Sequence, residues 1–171
     1  MGNKVWYTGG YTCNGYQYSN LAPTEKFQGE YRRRDNCNTL LKSTELISLE
    51  STEPFVGMPK PLGQHCIIKI NDDLVLVTGG HTVSDEDPTR YESHYEKNTH
   101  FFSFSNQRWI PGPDMLLERA SHACGTFLMG DETIMVAAGG SMIVEEQKLN
   151  GTDSVEFLSL QNLDKGWFQG N

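Results

Sequence analysis

LVLVTGGHT, residues 74–82, runs through five apolar or β-branched residues into two glycines and then turns polar. The same order returns as TIMVAAGGSM (133–142), and it opens the chain as KVWYTGGYT (4–12). A strand that must bend as it ends, and let another backbone come close, needs glycine there. Glycine has no β-carbon and accepts positive φ. Three such endings in one chain point to a structural repeat.

The flanking residues repeat as well. HCIIKINDDLVLVTGG (65–80) and HACGTFLMGDETIMVAAGG (122–140) each begin with His and run through an apolar segment. Each then turns at NDD or GDE and returns through an apolar strand to Gly-Gly, which reads as a β-hairpin. A polar loop leads to a third strand, THFFSFS (99–105) or SVEFLSL (154–160), and a turn, NQR or QNLDKG, to a fourth beginning at Trp109 or Trp167. The seven-residue step from Met58 to His65 recurs from Met115 to His122. One unit is therefore four antiparallel strands, a to d. In the first copy KVWYTGG supplies strand b, TELISLE (44–50) strand c and PFVGM (54–58) strand d. Nothing upstream supplies strand a, so eleven strands are expected.

Composition bounds the partners. Of 171 residues, 21% are charged and 37% apolar, which suits a globular chain. A net charge of −8 argues against a nucleic-acid surface, because phosphate binding wants a basic stripe. No apolar run approaches the ~20 residues that span a bilayer. MGNKVWYTGG has no signal-peptide apolar region, and Trp6 stands where myristoylation asks for Ser or Thr. Neither a nucleic-acid nor a membrane partner is expected.

The four cysteines, Cys13, Cys37, Cys66 and Cys124, show no C-x-x-C spacing. Cys13 and Cys37 are free thiols if the chain is cytosolic, and close a loop if it is secreted. Cys66 and Cys124 follow the equivalent His65 and His122 and read as small buried hydrophobes. Asn150-Gly151-Thr152 is a glycosylation triplet of a kind that arises often by chance. The compartment stays open.

A four-stranded sheet with two apolar faces is not stable alone and stacks on its neighbour, and a Trp in its outer strand buries a large area between the two. Radial stacking of such sheets makes a β-propeller. Apolar strand, Gly-Gly, aromatic and then Trp is also the order by which the chain resembles the kelch-repeat β-propeller family. Phe102 and Trp109 have six residues between them, as the kelch aromatic and Trp usually do, and the interval from Phe157 to Trp167 is three residues longer. The structural motif is Gly79, Gly80, Phe102 and Trp109, then Gly139, Gly140, Phe157 and Trp167. The first copy keeps Gly9 and Gly10 but has Phe55 where Trp is expected. The resemblance implies an all-β chain, a kelch-type propeller fragment of about two and three quarter blades. Blade 1 (partial) covers residues 1–60, blade 2 residues 61–117 and blade 3 residues 118–171. Such a fragment needs further blades or self-association to cover its open ends.

In an a–b–c–d meander the b–c connections share one edge. They are long here, 11–43, 81–98 and 141–153, whereas the a–b and c–d turns are short. Long loops on a rigid scaffold are where binding usually resides. The first holds Tyr16, Tyr18, Tyr31, Arg32, Arg33 and Arg34, and the second Arg90, Tyr91 and Tyr95. Tyr and Arg are enriched in binding hot spots, so these nine are the candidate contacts for a protein partner. The first loop carries five bases and three acids. The second carries two bases and five acids (Asp85, Glu86, Asp87, Glu92 and Glu96).

The family resemblance implies two roles. Many kelch propellers bind protein partners, and some serve ubiquitin ligases through a BTB domain, which is not read in this chain. The alternative is a fragment of a copper oxidase resembling galactose oxidase, which needs His and Tyr ligands and a Cys cross-linked to Tyr. His81 and His94, with Tyr91 and Tyr95, share one loop and form the one metal-ligand grouping weighed. His65 and His122 are repeat-equivalent, which favours a shared structural role. No Ser-His-Asp order, paired-carboxylate pattern or phosphate-binding glycine loop stands out. The expectation is an interaction module with no catalytic residue, metal or cofactor.

Overall fold

Period-2 alternation and turn chemistry convert the repeated sequence unit into a repeated antiparallel sheet. The computed structural model describes residues 5–8, 11–12, 39–40, 44–47, 52–83, 93–144 and 148–170. The first repeat contributes β1 (Val5–Thr8), β2 (Tyr11–Thr12), β3 (Thr39–Leu40), β4 (Thr44–Ile47) and β5 (Thr52–Phe55). The second contributes β6 (Cys66–Lys69), β7 (Leu74–Thr78), β8 (His81–Val83), β9 (Ser93–Tyr95), β10 (Thr99–Ser103) and β11 (Arg108–Pro111). The third contributes β12 (Ala123–Met129), β13 (Glu132–Ala138), β14 (Ser141–Val144), β15 (Lys148–Gly151), β16 (Val155–Ser159) and β17 (Phe168–Gln169).

The expected eleven strands build three sheets, ordered β1-β4-β5, β6-β7-β10-β11 and β12-β13-β16-β17, with every ladder antiparallel. Three further two-stranded ribbons, β2–β3, β8–β9 and β14–β15, lie within the b–c connections read as polar loops. Those connections therefore contain paired strands next to the sheets. The d strand of the first repeat also differs from the expected 54–58: it is Thr52–Phe55. The Val56 carbonyl leaves the ladder to accept hydrogen bonds from Thr44 Oγ1 at 2.8 Å and Trp109 Nε1 at 3.4 Å.

The short turns are held by side chains. Asn71 Oδ1 accepts hydrogen bonds from the amides of Asp73 and Leu74, the local Asx bonding that makes NDD a turn. Asp73 in turn accepts from Ser103 Oγ and the Ser105 amide, tying the a–b turn to the c–d turn. Glu132 does the same in the third repeat, accepting from Ser159 Oγ and Asn162 Nδ2.

Alternation then decides which face meets which sheet. Ile68, Leu76 and Phe101 of the second sheet pack against Met135, Ala137, Leu158 and Trp167 of the third, with Met115 from the connection between them. The opposite face of the second sheet presents Val77 and Trp109 to Met58 and Leu62, and Phe102 meets Phe55 edge-on at 5.6 Å. Each fully buried apolar side chain contributes about 1.5–3 kcal/mol. The two Trp residues do equivalent work. Trp109 donates from Nε1 to the Val56 carbonyl and Trp167 to the Pro113 carbonyl, two positions at the same step before Met58 and Met115. The ladder registers correct the sequence motif by one residue: Phe101 is the counterpart of Phe157, and Leu158 that of Phe102, so two extra residues precede Trp167 and are taken up by a 3-10 helix, Leu160–Lys165.

Candidate functional site

The Gly-Gly pairs position the edge from which the b–c connections leave. After Thr78 the backbone passes through Gly79 and Gly80 with φ of 55° and 109°. A β-carbon on Gly80 would lie 2.9 Å from both the Gly63 carbonyl oxygen and the His65 β-carbon. One on Gly140 would meet the Ala120 oxygen at 2.6 Å and the His122 β-carbon at 2.9 Å. His65 and His122 thus share a backbone-level role, each closing on the second glycine of its own repeat.

This close approach staples the bases of the β8–β9 and β14–β15 ribbons. Gly63 and His81 exchange hydrogen bonds of 2.9 and 2.7 Å, and Ala120 and Ser141 exchange bonds of 3.0 and 2.8 Å. The amides of Glu96 and Thr152 donate to the carbonyls of Gly80 and Gly140. β9 and β14 come into contact, so the ribbons of the second and third repeats stand side by side. Lys60 pairs with Glu96 at 2.8 Å and donates to Asn98 Oδ1, which takes Glu96 out of the free acids counted for this loop.

Behind the ribbons lies a buried polar group. The Arg119 guanidinium donates to the Gly139 and Ser154 carbonyls, to Ser154 Oγ and to Glu156. Glu156 also accepts the amides of Leu116 at 2.6 Å and Leu117 at 3.0 Å. His122 Nε2 lies 2.8 Å from Thr78 Oγ1, joining the second and third repeats. Burial pushes the His122 pKa down to about 4, with Arg119 and His65 adding to the effect, so its ring is neutral near pH 7. Burial also lowers the pKa of His81, with His94 adding, and that of His100, with Lys60 adding.

One sequence reading changes here. Cys66 and Cys124 are bonded to each other across the second and third sheets, with α-carbons 6.1 Å apart, and are not separate buried hydrophobes. Their places differ by one residue within the repeat: Cys66 pairs with Thr78, whereas Ala123 pairs with Ala138 and Cys124 with Ala137. That offset turns Cys124 to the opposite face of its sheet, toward Cys66. Sulfurs at identical repeat positions would both point the same way, so the offset was the legible signal. The ribbon register also separates His81 from His94. His81 pairs with Tyr95 and His94 with Thr82, so the two rings take opposite faces of the ribbon and are not brought together as ligands. His81 and Tyr95 instead meet edge-on at 5.8 Å. Among the described residues no group of three His, Cys, Asp or Glu side chains is placed to hold a metal ion.

Of the candidate contacts, Tyr95 stands on β9 at the ribbon base. Tyr16, Tyr18, Tyr31, Arg32, Arg33, Arg34, Arg90 and Tyr91 lie outside the described residues, as do Gly9, Gly10, Cys13 and Cys37. The buried Arg119 and Glu156 were not singled out from sequence. Their signal was paired replacement, because the repeat places Arg119 where the preceding unit has Leu62, and Glu156 where it has His100. No protein-family model matches the chain, and no curated protein matches it significantly.

Proposed function

We propose that this chain is part of a kelch-type β-propeller and acts as a protein-interaction module, with its partner bound across the edge of the b–c connections. The observation that carries the reading is the asymmetry of the two edges. One edge has short turns tied down by Asn71, Asp73 and Glu132. The other launches ribbons from stapled Gly-Gly bases into long connections. A rigid base with long, polar, Tyr- and Arg-bearing connections is the arrangement from which binding loops work. The like-for-like stacking of the sheets supports radial repetition, in which the uncovered face of the third sheet takes a further blade or a second copy.

The test is affinity capture from native extract with two charge-matched variants. One changes Arg32, Arg33 and Arg34 to Ala. The other changes Lys69, Arg108 and Lys165, three exposed bases of the opposite edge, to Ala. The arginine variant should lose the partner and the control keep it. Loss by the control, with capture retained by the arginine variant, assigns binding to the opposite edge and refutes the reading.

A further inference from the structure

We infer that Asn150 is an N-glycosylation site, occupied in the secretory route in which the Cys66–Cys124 bond forms. The inference rests on two independent observations. The first is the disulfide, which joins the first strands of neighbouring sheets with an α-carbon separation of 6.1 Å, inside the range that such a bond spans. Structural disulfides form and persist in oxidising compartments, whereas cytosolic thiols are kept reduced. The second is the placement of Asn150-Gly151-Thr152. Asn150 lies on β15 opposite Met142, near the end of a two-stranded ribbon, and is exposed, as is Gly151. A glycan there projects into solvent without displacing a core side chain, and the middle residue is not Pro. The triplet alone would carry little, because such triplets arise by chance. A disulfide shows which chains meet the machinery that reads it.

The chemistry balances with co-reactants of that compartment. Two cysteine thiols give up two protons and two electrons to a protein disulfide oxidant, forming the bond between the sulfurs. At Asn150 the side-chain nitrogen Nδ2 bonds to the anomeric carbon of an oligosaccharide carried on a lipid diphosphate. The bond from that carbon to the diphosphate oxygen breaks, the lipid diphosphate leaves with the electron pair, and Nδ2 releases one proton.

The full chain, expressed behind a cleavable secretory leader in eukaryotic cells, tests this in medium and lysate together, so that retention inside the cell hides nothing. The chain should show one discrete mobility shift that peptide-N-glycosidase removes, leaving an aspartate at position 150. Asn150→Gln should abolish the shift and Thr152→Ser should keep it. Non-reducing peptide mapping should recover Cys66 and Cys124 as one linked peptide pair. A disulfide-linked chain with unmodified Asn150 would overturn the assignment. So would Cys66 and Cys124 recovered as free thiols from the protein's own cells after alkylation under denaturing conditions.

Discussion

Arg119 and Glu156 form an ion pair with side-chain exposures of 0% and 1%, and the pair fastens the connection between the second and third sheets to strand β16. The carboxylate accepts two backbone amides of that connection, and the guanidinium donates to the carbonyls of Gly139 and Ser154. The preceding interface has Leu62 and His100 at the repeat-equivalent places. The next junction is closed instead by a buried pair of charges, in which both terminal nitrogens of the guanidinium are hydrogen-bonded and Nε is left without a partner.

Removing either charge strands the other in a dry site. Arg119→Leu and Glu156→Gln should each lower stability by about 3–5 kcal/mol, and the double variant should cost less than the sum. Denaturant midpoints measure this. Additive losses, or single losses below about 1 kcal/mol, would mean that the pair is solvated.

His122 should make stability pH-dependent. Its folded-state pKa of about 4 lies below the ordinary 6.5, so the unfolded chain binds more protons between those values. Stability therefore rises with pH through that window, and the contribution lost on acidification approaches roughly 3 kcal/mol. His122→Gln should flatten this slope in unfolding measured from pH 7 down to 4. An unchanged slope would remove His122 from the account.

The Cys66–Cys124 bond spans a sequence separation of 58 residues. Its reduction should cost about 2–4 kcal/mol, mainly by releasing the unfolded chain. Unfolding with and without reductant measures it, and Cys66→Ala with Cys124→Ala should abolish the difference. A double variant as reductant-sensitive as the wild type would contradict the assignment.

The third sheet turns Phe127, Phe157 and Phe168 away from the second sheet, with ring centroids 6.2 and 5.8 Å apart in succession. Phe127 and Phe168 are 42% and 45% exposed, whereas Phe101, at the place of Phe157 in the preceding unit, is buried under a neighbouring sheet. The 171-residue chain alone should self-associate, and Phe127→Glu with Phe168→Glu should shift it toward monomer. Light scattering on both forms checks this, and a monomeric wild type would refute it.

What was legible from sequence was whatever depends on one unit. The Gly-Gly endings, the order of strands and the work of Trp109 follow from alternation and turn residues within a repeat. Trp167 keeps its contact although two extra residues precede it, because a 3-10 helix takes them up without moving the strand, whereas the motif aromatic Phe157 falls one residue short of the counterpart of Phe102. What escaped depends on how one unit sits on the next. The disulfide requires knowing that Cys66 and Cys124 face each other across an interface. The Arg119–Glu156 pair needs a distance between a connection and a strand 37 residues later. The ribbons escaped for another reason. Strands as short as His81–Val83 and Ser93–Tyr95 show too little alternation to separate from a polar loop.

The central claim is that a protein partner binds across the edge of the b–c connections. Amide hydrogen exchange on the chain with its captured partner tests it most directly. Protection should appear in β8, β9, β14 and β15 and in the connections that they flank. The turns at 70–73, 104–107 and 130–131 should exchange as in the free chain. Protection confined to those turns, with the ribbons unchanged, would contradict the account.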